Sequence, residues 1–273
     1  MANLEVVIRY EGENADAGQL DLYDASESLA GIAKALNFVA HAFANNNEVR
    51  DKTPKPTNFK TYMGGARKGC FENIVEVNFS AEVTQRIGGS VINKHFWEYL
   101  SATLNTAVGK DFETDNSYVS KLMNSNDSPF EELAMRLEVP LQEILRPINR
   151  KGAQIISFVR PHVGEIVKMD KDTYDYVSTR DKDEELSHWN GNVTKYNILT
   201  GYGRAYIDSL RRTVPFNIDR FAENQIAHQA ATASMHERAR TPGSGKRRFV
   251  GHKVINATQK VKRIVVTEIN QQD

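Results

Sequence analysis

Spacings of apolar residues divide the first part of the chain into strands and a long helix. Leu4 to Tyr10 is rich in Val, Ile and Tyr, which predicts a first strand, and Leu20 to Tyr23 predicts a short returning strand after a polar turn. From Leu29 to Phe43, apolar residues recur at three- and four-residue steps, which is typical of an amphipathic helix. Ser26 or Asp24 is its expected N-cap. We therefore expect a helix packed across a small sheet.

The next patterns continue this mixture of strands and helices. Phe59 to Met63 and Phe71 to Phe79 predict two strands around the turn Gly64 to Gly69, and Val91 to Val108 has helical spacing. In Ser128-Pro129-Phe130-Glu131, an N-cap Ser, a Pro at the first helical position and a Glu at the third form a capping box. This motif predicts the start of another helix.

Prolines then divide the following helical stretch. Pro140 and Pro147 predict two short helices, near Pro129 to Glu138 and Pro140 to Arg146, before strand character returns. The two strands expected there are Ala153 to Val159 and Val163 to Met169.

An acidic stretch follows these strands. Asp170 to Glu185 contains seven acidic residues against Lys171, Arg180 and Lys182, which indicates a solvated linker or loop. Beyond it, one helix (Arg220 to Met235) interrupts a series of short strands, as in a small five-stranded barrel. The predicted strands are Leu186 to Asn197, Gly203 to Leu210, Arg212 to Phe216, Phe249 to Ile255 and Lys260 to Ile269.

Short motifs in the last third resemble those of a known kind of protein. The motifs are Trp189-Asn190-Gly191-Asn192-Val193, Asn197, Thr200-Gly201-Tyr202-Gly203 and Val214-Pro215-Phe216. They resemble the OB-like barrels at the C-terminus of uncharacterised bacterial and prophage proteins. The first half, with Gln19-Leu20-Asp21-Leu22 before a helix, is similar to the α/β domain that precedes such barrels. The resemblance implies an OB-like fold, carries no activity to transfer, and suggests a phage-defence setting.

Taken together, these patterns predict an α+β protein with an N-terminal sheet and packed helices, followed by a small OB-like β barrel with one inserted helix. We expect residues 1–150 to form the α+β domain, 151–185 to be connecting strands and an acidic linker, and 186–273 to form the barrel. A length of 273 residues also favours two domains.

Composition sets limits on location and chemistry. Apolar residues make up 40% and charged residues 26%, as is usual for a globular protein. Cys70 is the single cysteine, which excludes an intramolecular disulfide and fits a reducing compartment. The N-terminus lacks the pattern of a secretory signal, and no apolar run reaches the length of a membrane span. We therefore expect a soluble, cytoplasmic protein that does not act at a membrane.

The charge distribution is uneven although the whole chain is neutral, with 35 basic and 35 acidic residues. Between positions 238 and 263 there is no Asp or Glu, and the cations are Arg238, Arg240, Lys246, Arg247, Arg248, Lys253, Lys260, Lys262 and Arg263. Such a cluster can neutralise phosphates and release their counterions, which predicts contact with nucleic acid or another polyanion. Stacking of bases also needs exposed aromatic residues, for which Phe249, Tyr196, Tyr202 and Tyr206 are available.

Two alternatives remain beside this hypothesis. In the first, the basic end complements the acidic stretch Asp170 to Glu185, within the chain or between copies, and the protein forms homo- or hetero-oligomers. In the second, the protein is a cryptic hydrolase that uses Glu72 and Glu76, which are four residues apart on one strand and so lie on the same side. A pocket that gathers these two carboxylates and a histidine would support the hydrolase.

Other motifs for catalysis and cofactors are incomplete. Gly243-Ser244-Gly245-Lys246 lacks the first Gly and the final Ser or Thr of a phosphate-binding loop, and Gly201-Tyr202-Gly203 lacks the third Gly of a dinucleotide fingerprint. No two of the seven histidines have the spacing of a metal motif. We therefore predict no cofactor and no metal, and favour a non-enzymatic binding or assembly protein.

Overall fold

Two compact units make up the chain. The structure is a computed structural model that describes residues 2–67, 71–125, 128–178, 181–255 and 261–271. The first unit comprises Met1–Ser120 and Glu132–Ser178, and the second comprises Lys121–Glu131 and Thr179–Asp273. A sheet with helices forms the first unit and a small barrel forms the second, which confirms the predicted α+β class.

The first sheet has five antiparallel strands in the order β2-β3-β1-β4-β5. Numbered along the chain, these strands are β1 (Ala2–Glu11), β2 (Phe59–Arg67), β3 (Phe71–Phe79), β4 (Ile155–Arg160) and β5 (Gly164–Met169). The helices up to residue 178 are α1 (Leu22–Ala44), α2 (Ala81–Ile87), α3 (Ile92–Ala107), α4 (Ser117–Met123), α5 (Phe130–Arg136), α6 (Glu138–Ile144), α7 (Arg146–Asn149) and α8 (Lys171–Ser178).

One face of this sheet is the core of the first unit. Alternate residues of β1, from Leu4 to Tyr10, are buried on the side that carries α1. The hydroxyl groups of Tyr10 and Ser28 lie 2.8 Å apart, and Ser28 Oγ donates to the carbonyl of Ile144 in α6. Burial raises the pKa of Tyr10 to about 12, so its hydroxyl stays protonated and serves as a packing and hydrogen-bonding group.

The start of α1 differs from the prediction. The expected strand Leu20 to Tyr23 is wrong, because Asp21 caps a helix that begins at Leu22. The Asp21 carboxylate accepts hydrogen bonds from the backbone N–H groups of Tyr23 and Asp24, which fixes the first turn earlier than apolar periodicity indicated. The helix ends at Ala44, one residue after the last apolar position of the predicted pattern, Phe43.

The stretch predicted to connect the domains has a structure of its own. Strand β4 pairs with β1, and β5 pairs with β4, so both strands belong to the first sheet. Part of the acidic stretch forms α8, whose Thr173 and Val177 are buried. The boundary found from contacts therefore lies after Ser178. Strand β2 runs to Arg67, so Gly64 to Arg67 of the predicted turn are strand residues, and residues 68–70, with Cys70, lie outside the described ranges.

Five strands of the second unit close into a barrel. The elements are β6 (Asp181–Lys182), β7 (Ser187–Tyr196), β8 (Tyr202–Ile207), β9 (Arg212–Ile218), α9 (Gln225–Arg240), β10 (Arg247–Ile255) and β11 (Val261–Gln271). The order is β11-β9-β8-β7-β10, and pairing of β10 with β11 closes the ring, while β6 adds to β10. Strands β9 and β11 are parallel, and α9 lies between the third and fourth barrel strands in sequence. This connectivity is that of an OB-like barrel.

Aromatic side chains fill the barrel. Tyr196 stacks on Phe216 with ring centroids 6.0 Å apart, and Phe249 packs against Phe216. Ala227 and Ala231 of α9 are buried against the same cluster. Closure of the strands removes unpaired edges among these five strands, and the helix and aromatic rings fill the interior.

Helix α1 meets α6 at Gly31, and we expect a side chain there to destabilise the first unit. A Cβ on Gly31 would lie 2.5 Å from the carbonyl oxygen of Pro140 and 2.8 Å from the amide nitrogen of Ile144. Gly31→Ala should therefore lower the free energy of unfolding by about 1–3 kcal/mol, the usual cost of overpacking. Urea titration followed by circular dichroism measures this change.

The matched control for this substitution is Gly89→Ala. The nearest atom to a Cβ on Gly89 is Thr84 Cγ2 at 3.7 Å, an ordinary contact. We expect the control to change stability by about 0.5 kcal/mol or less. Equal unfolding midpoints for the two variants would contradict the close contact between α1 and α6.

Candidate nucleic-acid interface on the barrel

Three of the predicted basic residues are exposed cations. Arg238 and Arg240 lie in the last turn of α9, and Arg248 lies on β10. Among the residues that the structure describes, none of the three has a carboxylate partner. Their charges are therefore available to an anionic ligand.

Two further cations of the basic end are partly exposed but paired. Lys246 Nζ lies 2.6 Å from the Asp208 carboxylate, and Lys253 Nζ lies 3.1 Å from the Asp183 carboxylate. Asp183 belongs to the acidic stretch that sequence reasoning proposed as a partner of the basic end. One such pair therefore forms within a single chain, which reduces the charge available for an interface between copies.

Arg247 is a structural residue. Its guanidinium donates to both carboxylate oxygens of Glu237, at 2.7 and 3.0 Å, and only 5% of its side-chain surface is exposed. These hydrogen bonds hold the pKa of Glu237 below its usual range. The pair fixes the end of α9 to the start of β10, so Arg247 does not face a ligand.

The remaining predicted cations lie on or next to β11. Lys262 is buried, Arg263 is half-buried, and both have interactions with neighbouring groups. Lys260 lies outside the described residues. The cluster that is continuous in sequence is thus divided in space among exposed, ion-paired and buried positions.

The four aromatic residues considered for base stacking also differ in exposure. Phe249 and Tyr196 are buried, and the Tyr196 hydroxyl lies 2.9 Å from His228 Nδ1, so neither ring can stack on a base. Tyr206 is 41% exposed on β8. Tyr202 and Arg204 alternate with buried residues of this strand and lie on the same outer side as Tyr206.

Strand register brings Tyr206 and Arg248 onto one surface. Tyr206 lies opposite Asn192 on β7, and Asn190, two residues away on that strand, lies opposite Arg248 on β10. Neighbouring strands are about 4.8 Å apart and residues rise about 3.4 Å along a strand, so the Cα atoms of Tyr206 and Arg248 are separated by about 12 Å. Asn192 Nδ2 donates to the Ser244 carbonyl and so holds the loop between α9 and β10 beside them. We call this surface, from Arg248 across β7 to Tyr202 on β8, the β7–β8 face.

A second charged group lies on the same face. Lys195 on β7 is opposite Arg204 on β8, and the Arg204 Nε lies 3.2 Å from the Glu131 carboxylate. Lys195 donates to the carbonyl of Met123. Sequence reasoning missed Glu131, Lys195 and Arg204 because they are far apart in the chain, although the alternation of polar and small residues in β8 indicated that Arg204 faces outward.

The first unit contains a groove that bears on the hydrolase alternative. Its volume is about 500 Å³, and its lining includes Glu72 and His162 but not Glu76. Arg9 Nε lies 2.8 Å from the Glu72 carboxylate, and Glu76 accepts a hydrogen bond from Asn3. The groove therefore does not bring Glu72 and Glu76 together with a histidine as the alternative required, and Glu5 is the second carboxylate in its lining.

The described parts of the chain contain neither a metal-binding cluster nor a membrane-spanning helix. No group of three or more His, Cys, Asp or Glu residues there is placed to hold a metal ion. No helix in those parts is sufficiently long and apolar to cross a membrane. The β7–β8 face combines the exposed cation Arg248 with the exposed ring of Tyr206.

Arg247 and Arg248 are adjacent in sequence but differ in role, and substitutions separate the roles. Arg247→Gln removes a buried guanidinium that donates two hydrogen bonds to the partly exposed Glu237 carboxylate and should lower the free energy of unfolding by about 2 kcal/mol. Arg248→Gln, at an exposed position, should change it by about 0.5 kcal/mol or less. Urea unfolding of both variants checks this, and a larger loss for Arg248→Gln would contradict the assignment.

Comparison with known proteins gives a family match that covers the first unit from residue 6 onward. A family model described as a domain of unknown function, DUF7946, matches residues 6–178. The matched region ends at the residue where the first unit ends, so the barrel lies beyond it. No curated protein and no solved structure matches the chain. Since the model covers more than half of the sequence, the chain belongs to the DUF7946 family.

Proposed function

We propose that this protein is a non-enzymatic binding protein whose barrel binds single-stranded nucleic acid along the β7–β8 face. Exposed Tyr206 and Arg248 on neighbouring parts of one OB-like surface carry the proposal. OB folds bind oligonucleotides through a strand face and the loops beside it. The proposal includes Arg238 and Arg240, at the end of α9 that leads into the loop beside this face.

Charge supports a phosphate ligand. Arg238, Arg240 and Arg248 are exposed, and each guanidinium can donate several hydrogen bonds to phosphate oxygens. Release of counterions from the neutralised phosphates makes such binding favourable at low salt and weak at high salt. Asn190, the exposed β7 residue opposite Arg248, adds no negative charge that would repel a strand.

Aromatic exposure favours a single strand over a duplex. Tyr206 offers a ring face to solvent, and an unpaired base can stack on such a ring whatever its sequence. Bases inside a duplex are already stacked on their neighbours. We therefore propose single-stranded DNA or RNA as the ligand, without strong sequence preference.

The resemblance to bacterial and prophage proteins extends this proposal to a cellular setting. A cytoplasmic protein that binds single strands fits a role in phage defence or counter-defence, since such strands arise during replication and repair. This setting stays a prediction, and the family relationship concerns a domain of unknown function.

The first experiment tests the three exposed arginines together. Wild type and the triple variant Arg238→Gln, Arg240→Gln, Arg248→Gln are titrated against labelled single-stranded DNA, single-stranded RNA and duplex DNA, with fluorescence anisotropy as the readout. We expect the slope of log K against log salt to become shallower by about 2 in the triple variant, because each phosphate contact on a single strand contributes about 0.7.

The matched control removes three exposed lysines of the first unit, with the substitutions Lys52→Gln, Lys55→Gln and Lys60→Gln. It changes the net charge by the same amount and should leave the slope unchanged. If wild type binds no nucleic acid at about 50 mM salt, the proposed function is wrong.

A second experiment tests stacking. Tyr206→Ala should weaken binding of a single strand by about 1–3 kcal/mol, the usual contribution of one stacked base. Tyr62→Ala, which removes a comparably exposed ring from β2, is the control and should leave affinity unchanged. If Tyr206→Ala binds as well as wild type, and heparin competes fully, the surface binds polyanions without contacting bases.

A further inference from the structure

Two cations are neighbours on the β7–β8 face, and a carboxylate lies beside them. Lys195 and Arg204 are cross-strand neighbours, and like charges in that relation repel each other. The carboxylate of Glu131, from the segment Lys121–Glu131 of the same unit, lies 3.2 Å from Arg204 Nε. This one negative charge compensates part of the repulsion.

The carboxylate occupies a partly dehydrated position. Only 14% of the Glu131 side chain and 33% of the Arg204 side chain are exposed. Burial raises the pKa of Glu131, and the nearby charges of Arg204 and Lys195 oppose that rise. Burial also lowers the pKa of Lys195, an effect that the Glu131 charge opposes. The carboxylate and the two cations thus stabilise one another's charged forms.

The position of these groups matters for the proposed function. Arg204 lies between Tyr202 and Tyr206 on the outer side of β8. A strand that follows β8 from Tyr206 therefore reaches Arg204 next. Barrels that bind single strands combine cations, which contact the backbone, with aromatic rings, on which successive bases stack.

We infer that Lys195 and Arg204 form a phosphodiester-binding site of the barrel, and that the Glu131 carboxylate masks this site by occupying the place of the phosphate. The inference rests on the proposed function and adds that the Glu131 carboxylate regulates part of the binding surface. With the mask in place, a strand contacts Tyr206 and the exposed arginines. With the mask displaced, the strand extends along β8 and gains one further phosphate contact.

Exchange of the two anions explains how the mask can be reversible. A carboxylate and a phosphodiester each carry one negative charge, so displacement leaves the two cations compensated throughout. The main cost is loss of the Glu131 contact with Arg204, together with any disturbance of the Met123 carbonyl bonded to Lys195. When a longer oligonucleotide is already bound at Tyr206 and Arg248, its next phosphate is held close to Lys195 and Arg204. This high local concentration of phosphate favours exchange.

The test compares Glu131→Gln with wild type in the titration of single-stranded DNA across salt concentrations. Loss of the carboxylate charge should raise affinity about tenfold, which corresponds to about 1.4 kcal/mol. The slope of log K against log salt should become steeper by about 0.7, the contribution of one further phosphate. Glu223→Gln removes the charge of an exposed glutamate without an ion pair in the described residues and should change neither quantity.

A double variant identifies the residue that receives the phosphate. Adding Arg204→Gln to Glu131→Gln should abolish the gain in affinity and restore the wild-type slope, whereas Arg204→Gln alone should bind as wild type does. A gain that persists without Arg204 would overturn the assignment of the site. Circular dichroism checks that each variant is folded, and Glu131→Asp, which keeps the charge but shortens the side chain, should give an intermediate gain if Glu131→Gln does not fold.

The outcomes separate this inference from the proposed function. Equal affinity and equal slope for wild type and Glu131→Gln, with both proteins binding, would overturn the mask and leave the proposed function intact. Absence of binding by wild type and by Glu131→Gln at about 50 mM salt would overturn both.

Discussion

Closure of the barrel is the constraint on which the candidate interface depends. Parallel pairing of β9 with β11 and antiparallel pairing of β10 with β11 fix which side chains of each strand face the interior. Because the side-chain period of a strand is two, a shift of one residue would exchange the inner and outer faces. The register therefore places Phe216 and Phe249 inside and leaves Tyr206 and Arg248 outside.

Charge compensation within the chain decides which cations remain for a ligand. The chain has no net charge, and its basic end meets carboxylates that come from other parts of the sequence. Asp183, Asp208 and Glu237 each pair with one of its cations. A local excess of positive charge in the sequence thus overstates the charge that a partner would meet. The exposed arginines that lack such carboxylates in the described residues carry the proposal.

A family match supports the interpretation of the first unit, whereas strand connectivity and surface chemistry support that of the second. The first belongs to a family known by a domain of unknown function, and its groove is lined by Glu5, Glu72 and His162 but not by Glu76, the second carboxylate expected of a hydrolase. The barrel strands of the second unit lie beyond the matched residues, and its proposed role follows from strand connectivity and the chemistry of one surface. A family match to the first unit therefore leaves the proposed binding role to be tested on the barrel itself.

The sequence by itself determined the element types and the fold class, because periodicity of apolar residues reflects which side of a helix or strand is buried. It failed at Leu20 to Tyr23, where one capping carboxylate outweighed the strand pattern. It predicted nine cations as a group, but it did not predict that Arg247 would be buried or that Glu131 would lie against Arg204. Only the tertiary structure decided these points, since ion pairs between residues distant in sequence depend on the register and closure of the barrel, which no local pattern encodes.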